Sequence, residues 1–430
     1  MRTGFRSRRA ALVGAIALAA TPVLALPASA SNDIDGGLWY YTATGMDEVH
    51  QRTTGEGVHI ALINGLINPD VPDLQGTGLV VREPSYCAAE DGGPALQAAS
   101  TVPGAQHATG IASVLLGNGT GLGGQPGVRG IAPGATVTAY AVNGPEEGSC
   151  RTIEDATISR GDAFRDAVAD GADIVVVPGT ISMSTADYVA ALRAGVIVVG
   201  AGGNDGLTVS GWPAALNGAV ATGTVGPGAV LDPGSVTGEH LGVVAPGADI
   251  RTIDPTFSTY GISTGSSNSS AYTAGALALL WSEYPDATAN QILQALVRTT
   301  DGTEHEPSWD EDYGFGSVHV RALVDADPTS YPDENPFVSD GSDEVPTADE
   351  LGTPVPADSP TSGAPDAGAT EPDDSAAADP SEDGEGAPVT IIAIAAALAG
   401  AAIIVTAVVL TRRRRVPTRT DDLQHGGHHG

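Results

Sequence analysis

A chain of 430 residues with 52 acidic and 19 basic side chains carries a formal charge of −33. That balance argues against nucleic acid as a partner, because phosphate recognition needs concentrated positive charge. Two cysteines are too few for a disulfide-dense scaffold, and the length allows one large folded domain with appended segments.

In chain order, residues 1–30 read as a signal peptide. Arg2, Arg6, Arg8 and Arg9 precede an apolar stretch, Ala10 to Leu26, and the small-residue site Ala28-Ser29-Ala30. Ser7-Arg8-Arg9 leans toward twin-arginine export without enough of that motif to choose the route. Residues 31–326 form the predicted folded domain. Its opening stretch, "DGGLWYYTATGMDEVHQRTTGEGV", reads as a lead-in expected to pack on the rest of the domain.

Within the domain, "VHIALI" (58–63), "TVTAYAV" (136–142), "DIVVVP" (173–178), "GVIVVGAG" (195–202) and "AVATGTV" (219–225) read as strands. "TGIASVLLG" (109–117), "RGDAFRDAVADG" (160–171), "TADYVAALRAG" (185–195) and "SAYTAGALALLWSEY" (270–284) read as helices, several closed by glycine. Nearly all-apolar strands alternating with helices imply a three-layer α/β fold, its mainly parallel central sheet covered on both faces. Sites in such sheets lie at the carboxyl ends of strands. Cys87 and Cys150 are expected to pair once outside the cytoplasm.

Residues 327–388 are rich in Pro, Ser, Ala, Asp and Glu, with no basic residue between Arg321 and Arg412. They are predicted to be an acidic disordered linker, since little apolar surface is available to offset ordering. Residues 389–410 ("VTIIAIAAALAGAAIIVTAVVL") carry no charge and are long enough for a helix across a ~30 Å hydrocarbon core. Arg412 to Arg415 open residues 411–430 and put that tail in the cytoplasm. The expected location is therefore the cell membrane, with the folded domain outside.

Four stretches carry the chemistry. "QHATGIASVLLG" puts His107 at a helix start, "VIVVGAGGNDG" ends a strand at Asn204, "STGSSNSSAYTAGALALLWSEYP" puts Ser267 at a helix mouth, and "GIAPGATVTAYAV" lies between the first two. In this order they resemble the subtilisin family of serine peptidases, together with "GEGVHIALINGLI", "WPAALNGAVATGTV", "LGVVAPGADI" and "YGFGSVHVRALV". The resemblance implies that Ser267 is the nucleophile, His107 the general base and Asn204 a side-chain donor to the oxyanion. It implies a peptide or protein substrate and an acyl-enzyme, and no cofactor or metal is expected.

The sequence departs from that family at several places. In the stretch "IALINGLI", Asn64 follows the strand where the family has the aspartate that orients the histidine. An amide there can donate to the ring and select the wrong tautomer. Asp70 and Asp73 come next, but "NPDVPDL" reads as a turn. Val177, Pro178 and Gly179 stand where the family binds substrate as an added strand, and a proline there removes a donor. Ala108 replaces a glycine, adding a methyl expected beside the active site, and Ala271 replaces a proline.

The layout of signal peptide, peptidase-like domain, linker and single span resembles the mycosins, peptidases associated with type VII secretion in actinobacteria. Two functions are expected from it: a membrane-anchored serine endopeptidase weakened by Asn64, or an inactive relative. The inactive relative would bind peptides or brace a secretion-system membrane complex.

Overall fold

Short runs of β-branched and small apolar residues make the central sheet of the computed structural model. The model describes residues 34–352 except 147, 148, 156, 342 and 343. The strands are β1 (His59–Gly65), β2 (Leu79–Val81), β3 (Thr136–Asn143), β4 (Ile174–Val177), β5 (Ile197–Ala201), β6 (Val220–Gly226), β7 (Val230–Leu231) and β8 (Val243–Pro246). Their order is β8-β6-β5-β4-β1-β3-β2, with β7 added antiparallel to β6 and every other pairing parallel.

Alternation along each strand feeds two separate cores. Ile60, Leu62, Val137, Val176 and Val199 point to one face, beneath α1 (Gln106–Leu116), α4 (Ser266–Glu283), α5 (Ala289–Arg298) and α6 (Val320–Asp325). Ala61, Ile63, Tyr140, Val175 and Val198 point to the other, against α2 (Asp162–Ala169) and α3 (Thr185–Arg193). The three-layer arrangement expected from the sequence is therefore present. Helix α4 is buried along most of its length, and its small residues permit this. A Cβ on Gly275 would lie 2.7 Å from Ile131 Cβ.

The lead-in packs on the domain as expected. Trp39 and Tyr40 are buried, the indole N–H donates to Ala248 O at 2.9 Å, and the Tyr40 hydroxyl donates to Arg129 O at 2.6 Å. His50 is half-buried, with Nε2 2.9 Å from Ile131 O and Nδ1 3.0 Å from the Tyr41 hydroxyl. Burial lowers its pKa, against a smaller opposing effect of the Ile131 carbonyl. The fold thus favours the neutral ring while the unfolded chain binds the proton more readily. The His50 contribution is complete above about pH 6.5 and is lost as pH falls below it. Thermal melts from pH 7 to pH 5 should show a shallower loss of stability in His50→Gln than in the parent, and equal slopes would refute this.

Cys87 and Cys150 form a disulfide joining the loops after β2 and β3. Cross-links of this kind typically contribute about 2–4 kcal/mol.

The folded chain does not stop at Ala326, where the sequence reading placed the start of the linker. It continues as a strap to Gly352. Asn335, Val338 and Leu351 are buried, and Asn217 binds the strap through Ser339 and Pro346. Three anchors spaced among Pro, Asp and Ser do not raise average hydrophobicity enough to show as folded sequence, which is why composition misplaced this boundary. The strap crosses the amino-terminal edge of the sheet. Asn217 and Gly218 immediately precede β6, and the Arg193 guanidinium, just before β5, donates to Leu351 O and Glu350 O.

Residues 1–30, 389–410 and 411–430 lie outside the described residues. Among the described residues, no helix is long and apolar enough to cross a membrane.

Candidate active site

The carboxyl edge of the sheet gathers the side chains singled out in the sequence. The β1–β3 register slips at the end of β1: Asn64 stands opposite Ala141, but Gly65 stands opposite Asn143. Such a bulge re-aims the side chain beside it. Asn64, only 8% exposed, directs its amide at His107 in the first turn of α1. Nδ2 lies 3.0 Å from the ring Nδ1 and Oδ1 lies 3.2 Å from it.

The backbone decides which way round that amide sits. Asn64 Oδ1 accepts the Gly65 N–H at 2.8 Å. A flip would set two donors against each other, so the NH₂ remains toward the imidazole. With the nearer atom, Nδ2, donating, the ring nitrogen facing it accepts and the ring proton sits on Nε2; the tautomer with the proton on Nδ1 would instead donate to Oδ1 at 3.2 Å.

The α1 entrance is held by neighbours. Gln106 Nε2 donates to Ile253 O at 2.8 Å, and the Thr109 hydroxyl donates to Ala105 O at 2.6 Å while accepting the Asn68 N–H at 2.9 Å. Ala108 does not border the site: its methyl is buried in the core beneath α1. The sequence expectation of a methyl beside the site is corrected, because at this point in the helix the side chain one residue past His107 points inward.

Ser267 sits within the first turn of α4, one residue inside the helix. Its hydroxyl donates to Pro178 O at 3.0 Å. The preceding residue holds the Asn204 loop: the Ser266 N–H donates to Asn204 Oδ1 at 2.7 Å, and Ser266 Oγ accepts the Gly203 N–H at 3.1 Å. The Asn204 amide lies against Gly265, where a Cβ would lie 3.1 Å from Nδ2 and 3.2 Å from Oδ1. Those distances are tighter than ordinary contact, so glycine at 265 keeps the amide and the helix mouth together.

Asn64, His107, Asn204, Ser267, Val177, Pro178 and Gly179 all line one cleft of about 760 Å³, a size suited to a peptide segment. β4 ends at Val177, so Pro178 and Gly179 form its rim. Among the described residues lining this cleft there is no carboxylate.

The two nearby acids are placed elsewhere. Asp73 is buried, accepting the Val128 N–H at 2.6 Å and the Tyr260 hydroxyl at 2.5 Å, and Asp70 lies in the turn before it. Arg160 also lines the cleft. Sequence reading assigned it to a helix, but α2 begins at Asp162 and leaves Arg160 in the preceding turn. Loop closure, which local pattern does not report, brings it to the site.

A serine hydroxyl at the mouth of a buried helix, with an imidazole and a side-chain amide lining the same cleft, are the parts needed for acyl transfer. Residues 55–316 match the subtilase family. Subtilisin E from Bacillus subtilis (strain 168) is 29% identical over 286 residues, covering 64% of this chain and 67% of that protein. Subtilisin DY from Bacillus licheniformis is 32% identical over 240 residues, covering 52% and 84% respectively. Among solved structures, fervidolysin from Fervidobacterium pennivorans, a keratinolytic enzyme related to subtilisin, superposes with a TM-score of 0.54 at 20% identity. The match covers 70% of this chain and 48% of that one. The fold, the residues matched and the relatives agree: the chain belongs to the subtilase family of serine peptidases.

Proposed function

We propose that the protein is a membrane-anchored extracellular serine endopeptidase with strongly reduced turnover. In this reading Ser267 is the nucleophile, His107 the base, Asn204 the oxyanion donor, and Asn64 stands where the family places its aspartate. The observation that carries it is the Asn64 amide, fixed by Gly65 with its NH₂ 3.0 Å from His107 Nδ1. A ring protonated on Nε2 cannot accept the serine proton there, and a neutral amide does not stabilise the imidazolium formed during attack. The oxyanion donor and the cleft remain, so slow acyl transfer is retained. The span 389–410 supplies the anchor, and the mycosin-like layout favours work beside a secretion-system membrane complex.

A second reading rests on the Ser267 hydroxyl, which donates to Pro178 O rather than lying free. If that bond persists with peptide bound, the cleft holds peptides without cleaving them, and the protein serves a membrane complex as a binding or bracing component.

Labelling of the full chain with a fluorophosphonate tests the first reading. Ser267 should be modified slowly, and the labelling should drop at least tenfold in His107→Ala. Absence of Ser267 adduct in the parent, with the melting temperature unchanged, would favour the second.

A further inference from the structure

Of the chain's 52 acidic side chains, none belongs to the described lining of the cleft, whereas Arg160 does. A strongly anionic protein ordinarily draws cationic ligands, so the cleft has the opposite sign from the chain around it.

Arg160 stands where the cleft opens into an adjoining hollow of about 350 Å³, walled by Thr180, Ile181, Met183 and Trp212. The loop carrying it is seated against that wall: a Cβ on Gly161 would lie 2.7 Å from Ser182 O. The closest acid along the chain is already committed. Asp162 accepts the Ser159 N–H at 2.5 Å and pairs with Arg165 at 2.6 Å. Among the described residues, Arg160 forms no ion pair.

We infer that Arg160 selects peptides carrying an acidic side chain, Asp or Glu, which its guanidinium binds at the junction of cleft and hollow. Arg160 is exposed, so the selectivity rests on the charge and the fork geometry of its guanidinium, which can hold a carboxylate through two parallel hydrogen bonds as no neutral amide can be held. This rests on the peptide-cleft reading above and adds the class of peptide.

The test uses the full chain carrying Ser267→Ala, so that binding is read without turnover. Fluorescent octapeptides of neutral sequence, with one Glu scanned through every position, are titrated by anisotropy beside their Gln and Arg twins. At one position the Glu peptide should bind about threefold to fivefold more tightly than its Gln twin, and the Arg peptide more weakly still. Arg160→Gln should abolish that preference, Arg160→Lys should keep part of it, and Arg160→Glu should reverse it toward the Arg peptide. Peptides that bind equally whatever their charge, or a Glu preference that survives Arg160→Gln, would overturn the role of Arg160 while leaving the cleft a peptide site. Failure of every peptide to bind would overturn the peptide-cleft reading and this inference together.

Discussion

Asn64→Asp is expected to raise kcat/KM for peptide hydrolysis by about 10³–10⁴-fold, equivalent to roughly 4–5.5 kcal/mol of barrier. The substitution changes one atom's character and little else. A carboxylate at 64 can still accept the Gly65 N–H that now binds Oδ1. Its second oxygen would replace the amide nitrogen 3.0 Å from His107 Nδ1. That oxygen accepts a ring proton where the amide donates one, which frees Nε2 to act as the base. It also supplies the anion that the described cleft lining lacks. Steady-state hydrolysis by parent and variant at matched concentrations, with active sites counted by fluorophosphonate, gives the ratio. No rise in kcat while peptides still bind would place the defect at the Ser267–Pro178 bond and support the binding role.

The second large effect is on stability. Asn217 is 3% exposed, and its side chain makes three hydrogen bonds to the strap: Nδ2 to Ser339 O at 2.9 Å and to Pro346 O at 3.0 Å, and Oδ1 from the Ser339 N–H at 2.8 Å. Asn217→Ala removes all three and strands buried partners, a loss of about 2–4 kcal/mol. At a few degrees per kcal/mol for a domain of this size, the melting temperature should fall by roughly 5–10 °C. Limited proteolysis should then cut first between Asn335 and Gly352. A variant with an unchanged melting temperature and a protected strap would show that other contacts hold this segment.

How far the fold is legible in the sequence depends on which forces are local. The strands beginning at His59, Thr136, Ile174, Ile197 and Val220 announce themselves because a doubly covered parallel strand is apolar along its length. The site was legible because Asn64, His107 and Ser267 stand at the ends of elements and Asn204 follows the end of β5 by three residues, all at the same sheet edge. β2, with three residues, is too short to carry a period, and β8 hides in a glycine- and proline-rich stretch. The orientation of the Asn64 amide depends on a backbone donor, and the inward methyl of Ala108 depends on helix phase. Arg160 reaches the cleft only through the path of a loop, and the strap holds by a few anchors that composition averages away.

The strap also decides where load enters the molecule. Arg193 and Asn217 grip the chain at the pole opposite the cleft, so any pull transmitted through residues beyond Gly352 falls first on that clasp. Tension applied there would have to undo that clasp before reaching β1 or α4, which sets Asn64 and Ser267 apart from it.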